Sequence, residues 1–174
     1  MTETDGVSNT FMGYNASRLT NGAEGCVVIG AYAGESLGAS SSSVYIGREA
    51  GQYNKHTDTN ANIAIGHQAL RGANADSTAP QNSVAIGHQA LTAITTGDNN
   101  TVVGTNAGDA LTTGSSNVAI GLNALGAEIT ASSTVAVGKD SARFQVASGA
   151  TYSTYVGDGA GYHNVTGKNN TYLG

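Results

Sequence analysis

A short apolar phrase recurs along the whole chain at nearly constant spacing. Its clearest copies are residues 84–87 (Val-Ala-Ile-Gly) and 118–121 (Val-Ala-Ile-Gly). Alignment on the glycine gives ten copies, separated by 17, 17, 19, 21, 17, 17, 17, 19 and 17 residues. A fixed period with small insertions predicts a repeat protein whose units form a core only by stacking. The corner glycines are Gly13, Gly30, Gly47, Gly66, Gly87, Gly104, Gly121, Gly138, Gly157 and Gly174.

Side chains before each corner glycine follow the alternation of a strand. We call the residues one and three positions before the glycine the flanking columns, and the residue between them the middle column. The flanking columns hold Val, Ile or Thr in most copies, and their side chains share one face. We interpret that face as the interior of the coil, with its threonines pointing inward.

The middle column points the opposite way and contains no charged residue. A strand face exposed to water is normally polar, so we expect this second face to be buried between subunits. The predicted subunit interface comprises Phe11, Val28, Tyr45, Ala64, Ala85, Val102, Ala119, Ala136, Tyr155 and Tyr172.

The rest of each unit predicts how a coil closes. Two variable residues follow the corner, then a small residue that implies a narrow interior, as in Ala69 and Ala107. A later Leu/Val-Thr-x-Gly segment, such as residues 111–114, is interpreted as a second short strand and turn. Asn recurs before the main strand, as at Asn100 and Asn117, and can hydrogen-bond along the stack.

These features together predict an all-β fold. Residues 1–174 are expected to form one parallel β-solenoid (β-roll) of about ten coils, each of ~17 residues, with strands ~4.8 Å apart. Both ends stop without a capping unit, so we expect a fragment of a longer fibre that stacks on further fibre or virion protein.

Composition narrows the function classes. The chain has 25 glycines, 11% charged residues and a formal net charge of −5, which disfavours nucleic-acid binding. It contains no apolar run long enough to insert into a membrane. Residues 1–6 lack the basic and apolar regions of a signal peptide, so we expect synthesis without such a signal or a piece of a longer chain.

The repeated phrase also resembles known attachment proteins. Asn-Ser-Val-Ala-Ile-Gly (82–87) is similar to the head repeats of trimeric autotransporter adhesins. Residues 99–108, together with Leu-Thr-Thr-Gly at 111–114, resemble repeats of bacteriophage tail fibres even more closely. The resemblance covers essentially the whole chain and implies a left-handed parallel β-roll that works as a homotrimer in attachment.

Few residues suggest chemistry. His67 and His88 occupy the same corner of neighbouring coils, where their rings are expected to stack ~5 Å apart. Such a pair could bind a metal, and Asp58 with Asp76 could hold Ca²⁺, but ordinary corner and loop roles are favoured. The acidic residues are scattered and a narrow solenoid has no internal pocket, so we expect no enzyme activity, metal or cofactor.

The longer units predict where binding occurs, because insertions leave a coil as loops. We therefore predict a non-enzymatic fibre segment in a virion, most simply a phage tail fibre, that presents a surface to a cell-surface glycan or protein receptor. The alternative is a fragment of a bacterial surface adhesin or extracellular filament. An ice- or mineral-binding solenoid is a third reading, which needs an outward-facing Thr ladder. The candidate receptor-binding residues are Tyr53, Asn54, Lys55, His56, Asp58, Asn74 and Asp76.

Overall fold

A computed structural model describes residues 7–55, 61–73, 79–145 and 151–174. Across these ranges the chain is all-β, with ten three-residue strands and no helix. Each strand is the apolar phrase before a corner glycine, so the sequence repeat and the structural repeat coincide. The strands are β1 (Thr10–Met12), β2 (Val27–Ile29), β3 (Val44–Ile46), β4 (Ile63–Ile65), β5 (Val84–Ile86), β6 (Thr101–Val103), β7 (Val118–Ile120), β8 (Val135–Val137), β9 (Thr154–Val156) and β10 (Thr171–Leu173).

The ten strands form one parallel sheet in sequence order. Each strand pairs with the next at equivalent repeat positions, for example Ala64 with Ala85 between β4 and β5. Gly66 N donates to Ile46 O at 2.8 Å and Ile63 N donates to Ser83 O at 2.9 Å, so each coil bonds to both neighbours. The predicted parallel β-solenoid is therefore confirmed, with about nine turns of the chain.

In the part of the chain that the structure describes, the second strand expected in each coil does not form. The opposite side consists of turns joined by isolated backbone bonds, such as Thr112 N to Ile129 O at 2.8 Å. Isolated bridges outside the strands join Thr20 with Gly38 and Glu24 with Ser41, and Ser132 is a further bridge residue. Ser and Thr hydroxyls offer the backbone local alternatives to a ladder, which explains why this Thr-rich side remains turns.

The assignment of the two strand faces was wrong, because the middle column lies inside the coil. From Val28 to Tyr155 its eight members are fully buried within the single chain, so they cannot form a subunit interface. Phe11 packs partly against the core, and Tyr172 is 41% exposed with its ring 5.3 Å from that of Tyr155. The flanking columns, including their threonines, face outward instead.

The physical reason is the narrow interior. Residues two positions before the middle column share its face, and most are polar and fully buried, such as Asn62, Asn100 and Asn117. They bond to both neighbouring coils: Asn117 Nδ2 donates to the side-chain Oδ1 of Asn100 in the preceding coil at 3.1 Å and to the backbone Ala131 O of the next coil at 2.7 Å. The predicted asparagine ladder is confirmed, and it occupies the inner face beside small alanines, leaving Val and Ile on the wider outer face.

Glycine at the corner is required by backbone geometry. Gly47 has φ +130°, and a Cβ added there would lie 2.6 Å from Gly66 O in the next coil. Side chains rarely adopt this conformation, and none fits between coils stacked so closely. The corner glycines therefore allow each strand to turn while the coils remain in contact.

Candidate interaction surfaces

The outward-facing flanking columns form a continuous apolar surface, which we call the apolar stripe. Ile63, Ile86 and Ile120 are 37%, 36% and 39% exposed, although they belong to paired strands of the sheet. The stripe spans ten strands at ~4.8 Å spacing and three residues of strand, so it measures about 43 by 10 Å. Its members are residues 10, 12, 27, 29, 44, 46, 63, 65, 84, 86, 101, 103, 118, 120, 135, 137, 154, 156, 171 and 173.

Polar residues border the stripe on both sides. Ser42, Asn82 and Asn99 are exposed on the side that precedes the strands, and Arg48 and Lys139 are exposed beyond the corner glycines. An apolar centre with a polar rim is the usual anatomy of a protein interface. The outline of the stripe, roughly 400 Å² with its threonines included, is comparable in size to the largest apolar patch of a typical monomer, and such patches are often functional.

The threonines of the stripe do not form a ladder. Thr101 pairs with Val84 on one side and Val118 on the other, so apolar neighbours isolate its hydroxyl. Thr154 and Thr171 are adjacent in the last two strands. The outward orientation meets one requirement of an ice- or mineral-binding face, but the regular Thr array is missing.

Two stretches of polar ladder lie along the rod at the position two residues after the corner. Gln68 Nε2 donates to Glu49 Oε2 at 2.7 Å, and Gln89 Nε2 donates to Gln68 Oε1 at 2.9 Å. Further along, Asn123 Nδ2 donates to Asp140 Oδ1 at 2.8 Å. These amide bonds are the main reason that the pKa values of the Glu49 and Asp140 carboxyls are lowered. The ladder joins coils along the edge next to the stripe.

The predicted receptor-binding residues divide into three groups. Lys55 is exposed, and Tyr53 is half-buried with the Arg71 guanidinium 6.0 Å from its ring centre. Asn54 was wrongly placed on the surface: it is fully buried, and its Nδ2 donates to Leu70 O. Its position closes the coil interior, so its amide satisfies backbone instead of a ligand. His56, Asp58, Asn74 and Asp76 lie outside the described residues.

His67 and His88 stack as the repeat predicts, with ring centres 5.2 Å apart. Within the described ranges, no three His, Cys, Asp or Glu residues are grouped so that they could hold a metal ion. The observed contact between the two rings therefore reports the stacking of their coils.

An aromatic cluster on the last coils was missed from the sequence. Phe144 contacts Tyr162 edge-on at 5.1 Å and stacks on His163 at 5.7 Å, while the Arg143 guanidinium lies 5.3 Å from the Phe144 ring centre. These residues lie five and six positions after two successive corner glycines. Aligning the repeats on those glycines would have placed them side by side. Because the rings cover one another, the cluster packs neighbouring coils together.

No protein-family model, curated protein sequence or solved structure matches this chain. In the ranges that the structure describes, no helix has the length and apolar character needed to cross a membrane.

Proposed function

We propose that this chain is a non-enzymatic attachment-fibre segment that works as a homotrimer, most simply in a bacteriophage tail fibre. The exposed apolar stripe is the observation that carries the proposal. It is uncharged and continuous over the ten paired strands, and burial of apolar surface at about 25 cal/mol per Å² favours association. A rod that associates along its length acts as a stiff spacer.

Other copies of the chain suit the stripe because the repeat spacing is shared. Coils stacked at the same spacing match along the whole rod, so Val and Ile of one copy can meet Val and Ile of another. Closed symmetry is the usual arrangement of such self-association. When three parallel rods turn their stripes towards one shared axis, all three stripes become buried from water. This agrees with the trimer that the repeat resemblance implies.

A fragment of a bacterial surface adhesin or extracellular filament is the second candidate. Its support is the similarity of residues 82–87 to adhesin head repeats. Both candidates use the same rod, so the genomic context separates them. A neighbouring coiled-coil stalk and membrane anchor would favour the adhesin, and neighbouring virion genes would favour the tail fibre.

Attachment is tested by measuring how fluorescently labelled protein binds to a panel of bacterial cells. We expect saturable binding to some strains, through a glycan or protein receptor on the cell surface. The double variant Tyr53→Ala/Lys55→Ala should weaken binding about tenfold, the loss of roughly one well-placed contact. Leu19→Ala changes the column position that Tyr53 occupies, two coils away, and serves as the matched control.

Two results would oppose this proposal. Absence of binding to every strain tested would remove the attachment function. Unchanged binding by the Tyr53→Ala/Lys55→Ala variant would show that the receptor binds elsewhere on the rod. Thermal unfolding of each variant must match that of the original chain, so that a binding change reports a lost contact.

A further inference from the structure

The interior residue that closes each coil changes chemistry along the rod. It lies seven positions after the corner glycine and is apolar at Leu37, Ile94 and Leu111, all fully buried. In the next two coils the equivalent residues are Glu128 and Gln145, which are 1% and 0% exposed. A carboxyl group and an amide thus replace hydrocarbon side chains within the core.

The two oxygens of Glu128 have different surroundings. Oε1 accepts hydrogen bonds from Ile129 N, Thr130 N and Ala131 N at 3.0, 2.8 and 2.9 Å. These bonds hold the turn that follows Glu128 and fix the orientation of the carboxyl group. Oε2 is buried and has no hydrogen-bond partner among the described residues. A buried oxygen without a donor costs about 1–3 kcal/mol, and more when it is charged.

Gln145, one coil away from Glu128, also has buried polar atoms without hydrogen-bond partners. Its Oε1 and Nε2 are both buried and lack hydrogen-bond partners in the described structure. Equivalent positions of adjacent coils stack ~4.8 Å apart, so Gln145 is the neighbour of Glu128 within the column. In the following coil, Asn164 Nδ2 donates to Tyr155 Oη at 2.5 Å and Asn164 Oδ1 accepts from Gly167 N at 3.1 Å.

We propose that Glu128 binds a proton in the folded chain and that Oε2–H donates to Gln145 Oε1. This arrangement gives both orphaned oxygens a partner and leaves Gln145 Nε2 available to donate towards the following coil, where Asn164 Oδ1 has the capacity to accept a second bond. Ionised Glu128 would instead place a negative oxygen in a water-excluded core opposite at most one amide donor. Burying a charge without full compensation is far more costly than burying a neutral carboxyl group.

Among the described residues, no cation contributes to the pKa of Glu128. Above and below it in the column lie Leu111 and Gln145, and the neighbouring strands contribute Ala119 and Ala136 to the core. The charged residues of the flanking coils nearest this column in sequence are Asp109 and Arg143, two positions before Leu111 and Gln145. Burial raises the pKa of Glu128 against the opposing effect of the three backbone N–H groups, and no charged side chain contributes to that change.

A raised pKa gives a defined pH dependence of stability. The folded chain holds its proton more tightly than the unfolded chain, whose glutamate titrates near about 4.3. The stabilisation is complete below that pH and is lost as pH rises through the folded pKa. These coils are therefore more stable in acid. Each unit by which the folded pKa exceeds the unfolded pKa changes the unfolding equilibrium constant by about tenfold.

The test compares thermal unfolding of the full chain and Glu128→Gln from about pH 4 to about pH 9. The glutamine keeps the oxygen that accepts the backbone bonds and permanently supplies a donor to Gln145. We expect the midpoint of the original chain to fall relative to Glu128→Gln as pH rises, and then to level off. Glu24→Gln removes a charge from an exposed side chain and should leave the pH profile unchanged.

A second measurement keeps the proposal testable if Glu128→Gln does not fold. The chain has five glutamates, so carbon-13 labelling of their carboxyl groups gives few signals in an NMR pH titration. One carboxyl signal of the folded chain should titrate well above the ordinary glutamate range. Titration of all observed glutamates at or below that range, or a gain in stability relative to Glu128→Gln as pH rises, would overturn the proposal.

Discussion

The ring of Tyr45 occupies the space that any side chain at position 51 would need. A Cβ added to Gly51 would overlap Cδ1 of Tyr45 and lie 2.5 Å from its Cε1. Tyr155 and Gly161 repeat the relationship in β9 and the corner that follows it. Three of the four coils with alanine in the middle column carry the large residue at the other position, namely Ala64 with Leu70, Ala85 with Leu91, and Ala119 with Leu125, whereas Ala136 is followed by Ala142. Apart from that last coil, each of these coils thus contains one large and one small residue across the same narrow interior.

This relationship predicts compensation between positions 45 and 51. Gly51→Leu alone should lower the free energy of unfolding by about 2–4 kcal/mol through overpacking. Tyr45→Ala alone should cost about 3–5 kcal/mol through the cavity it leaves. The double variant rebuilds the Ala64–Leu70 arrangement and should recover about 2–3 kcal/mol relative to the sum, as measured by denaturant unfolding.

Backbone strain does not account for the expected loss in Gly51→Leu. Gly51 has φ +58°, and Leu70, Leu91 and Leu125 adopt φ +49°, +55° and +55° at the same repeat position. Purely additive losses in the two single variants and the double variant would contradict the proposed complementarity.

The corner glycines give a separate prediction. Gly47→Ala should lower the free energy of unfolding by about 3 kcal/mol or more, because the added Cβ meets the next coil and φ +130° is unfavourable. Gly159→Asn is the control: its φ is +66°, no atom lies within 4 Å of an added Cβ, and Asn106 and Asn123 occupy that column. Its effect should remain within about 1 kcal/mol. Equal losses in the two variants would show that close stacking at the corner is unimportant.

The repeat, the strand positions and the parallel stacking could be predicted because the ten glycines fix the register. The orientation of the strands could not be obtained from hydrophobicity, since Val and Ile were assumed to be the buried residues. The better signal was the two-residue alternation of side chains along the strand. It places Asn100 and Asn117 on the same face as the small middle-column residues Val102 and Ala119. A polar ladder bonded to backbone can be the inner face of a narrow coil, and this reverses the usual rule.

The orientation of the candidate receptor-binding residues also could not be obtained from the sequence. Lys55 is exposed and Tyr53 is half-buried, whereas Asn54 between them turns into the core. Composition does not show which residues of a turn point into the core and which point into solvent. The pairing of Glu128 with Gln145 also depends on burial, because a single glutamate between Ala127 and Ile129 looks like a solvated turn residue in the sequence.

Burial of Tyr45 predicts a loss of stability in alkali. Burial raises the pKa of its hydroxyl from the ordinary value near 10 to about 12. The folded chain favours the neutral phenol, so this stabilisation is complete below about pH 10 and is lost as pH rises towards 12. Unfolding monitored by circular dichroism should show this alkaline loss, and Tyr45→Phe should reduce it. Tyr14→Phe alters a ring that is 69% exposed and should leave the transition unchanged; an unchanged transition in Tyr45→Phe would contradict the assignment.

The stripe predicts that assembly and folding can be separated by neighbouring substitutions. Ile120→Asp places a charge on the stripe, and we expect it to reduce the assembly to single chains while the coil remains folded. Leu122→Asp changes a residue that is 42% exposed, compared with 39% for Ile120, but lies beyond the corner outside the stripe. It should leave the mass unchanged. Ala119→Asp should unfold the coil, since Ala119 is fully buried inside it.

Lateral association through the stripe is tested most directly by the mass of the original chain in dilute solution. Light scattering coupled to size-exclusion chromatography gives that mass independently of the shape of the rod. We predict a species of three times the 17.3 kDa chain mass. A stable single chain at the same concentration would contradict the proposal, and a two-chain species would replace the threefold arrangement with a face-to-face pair.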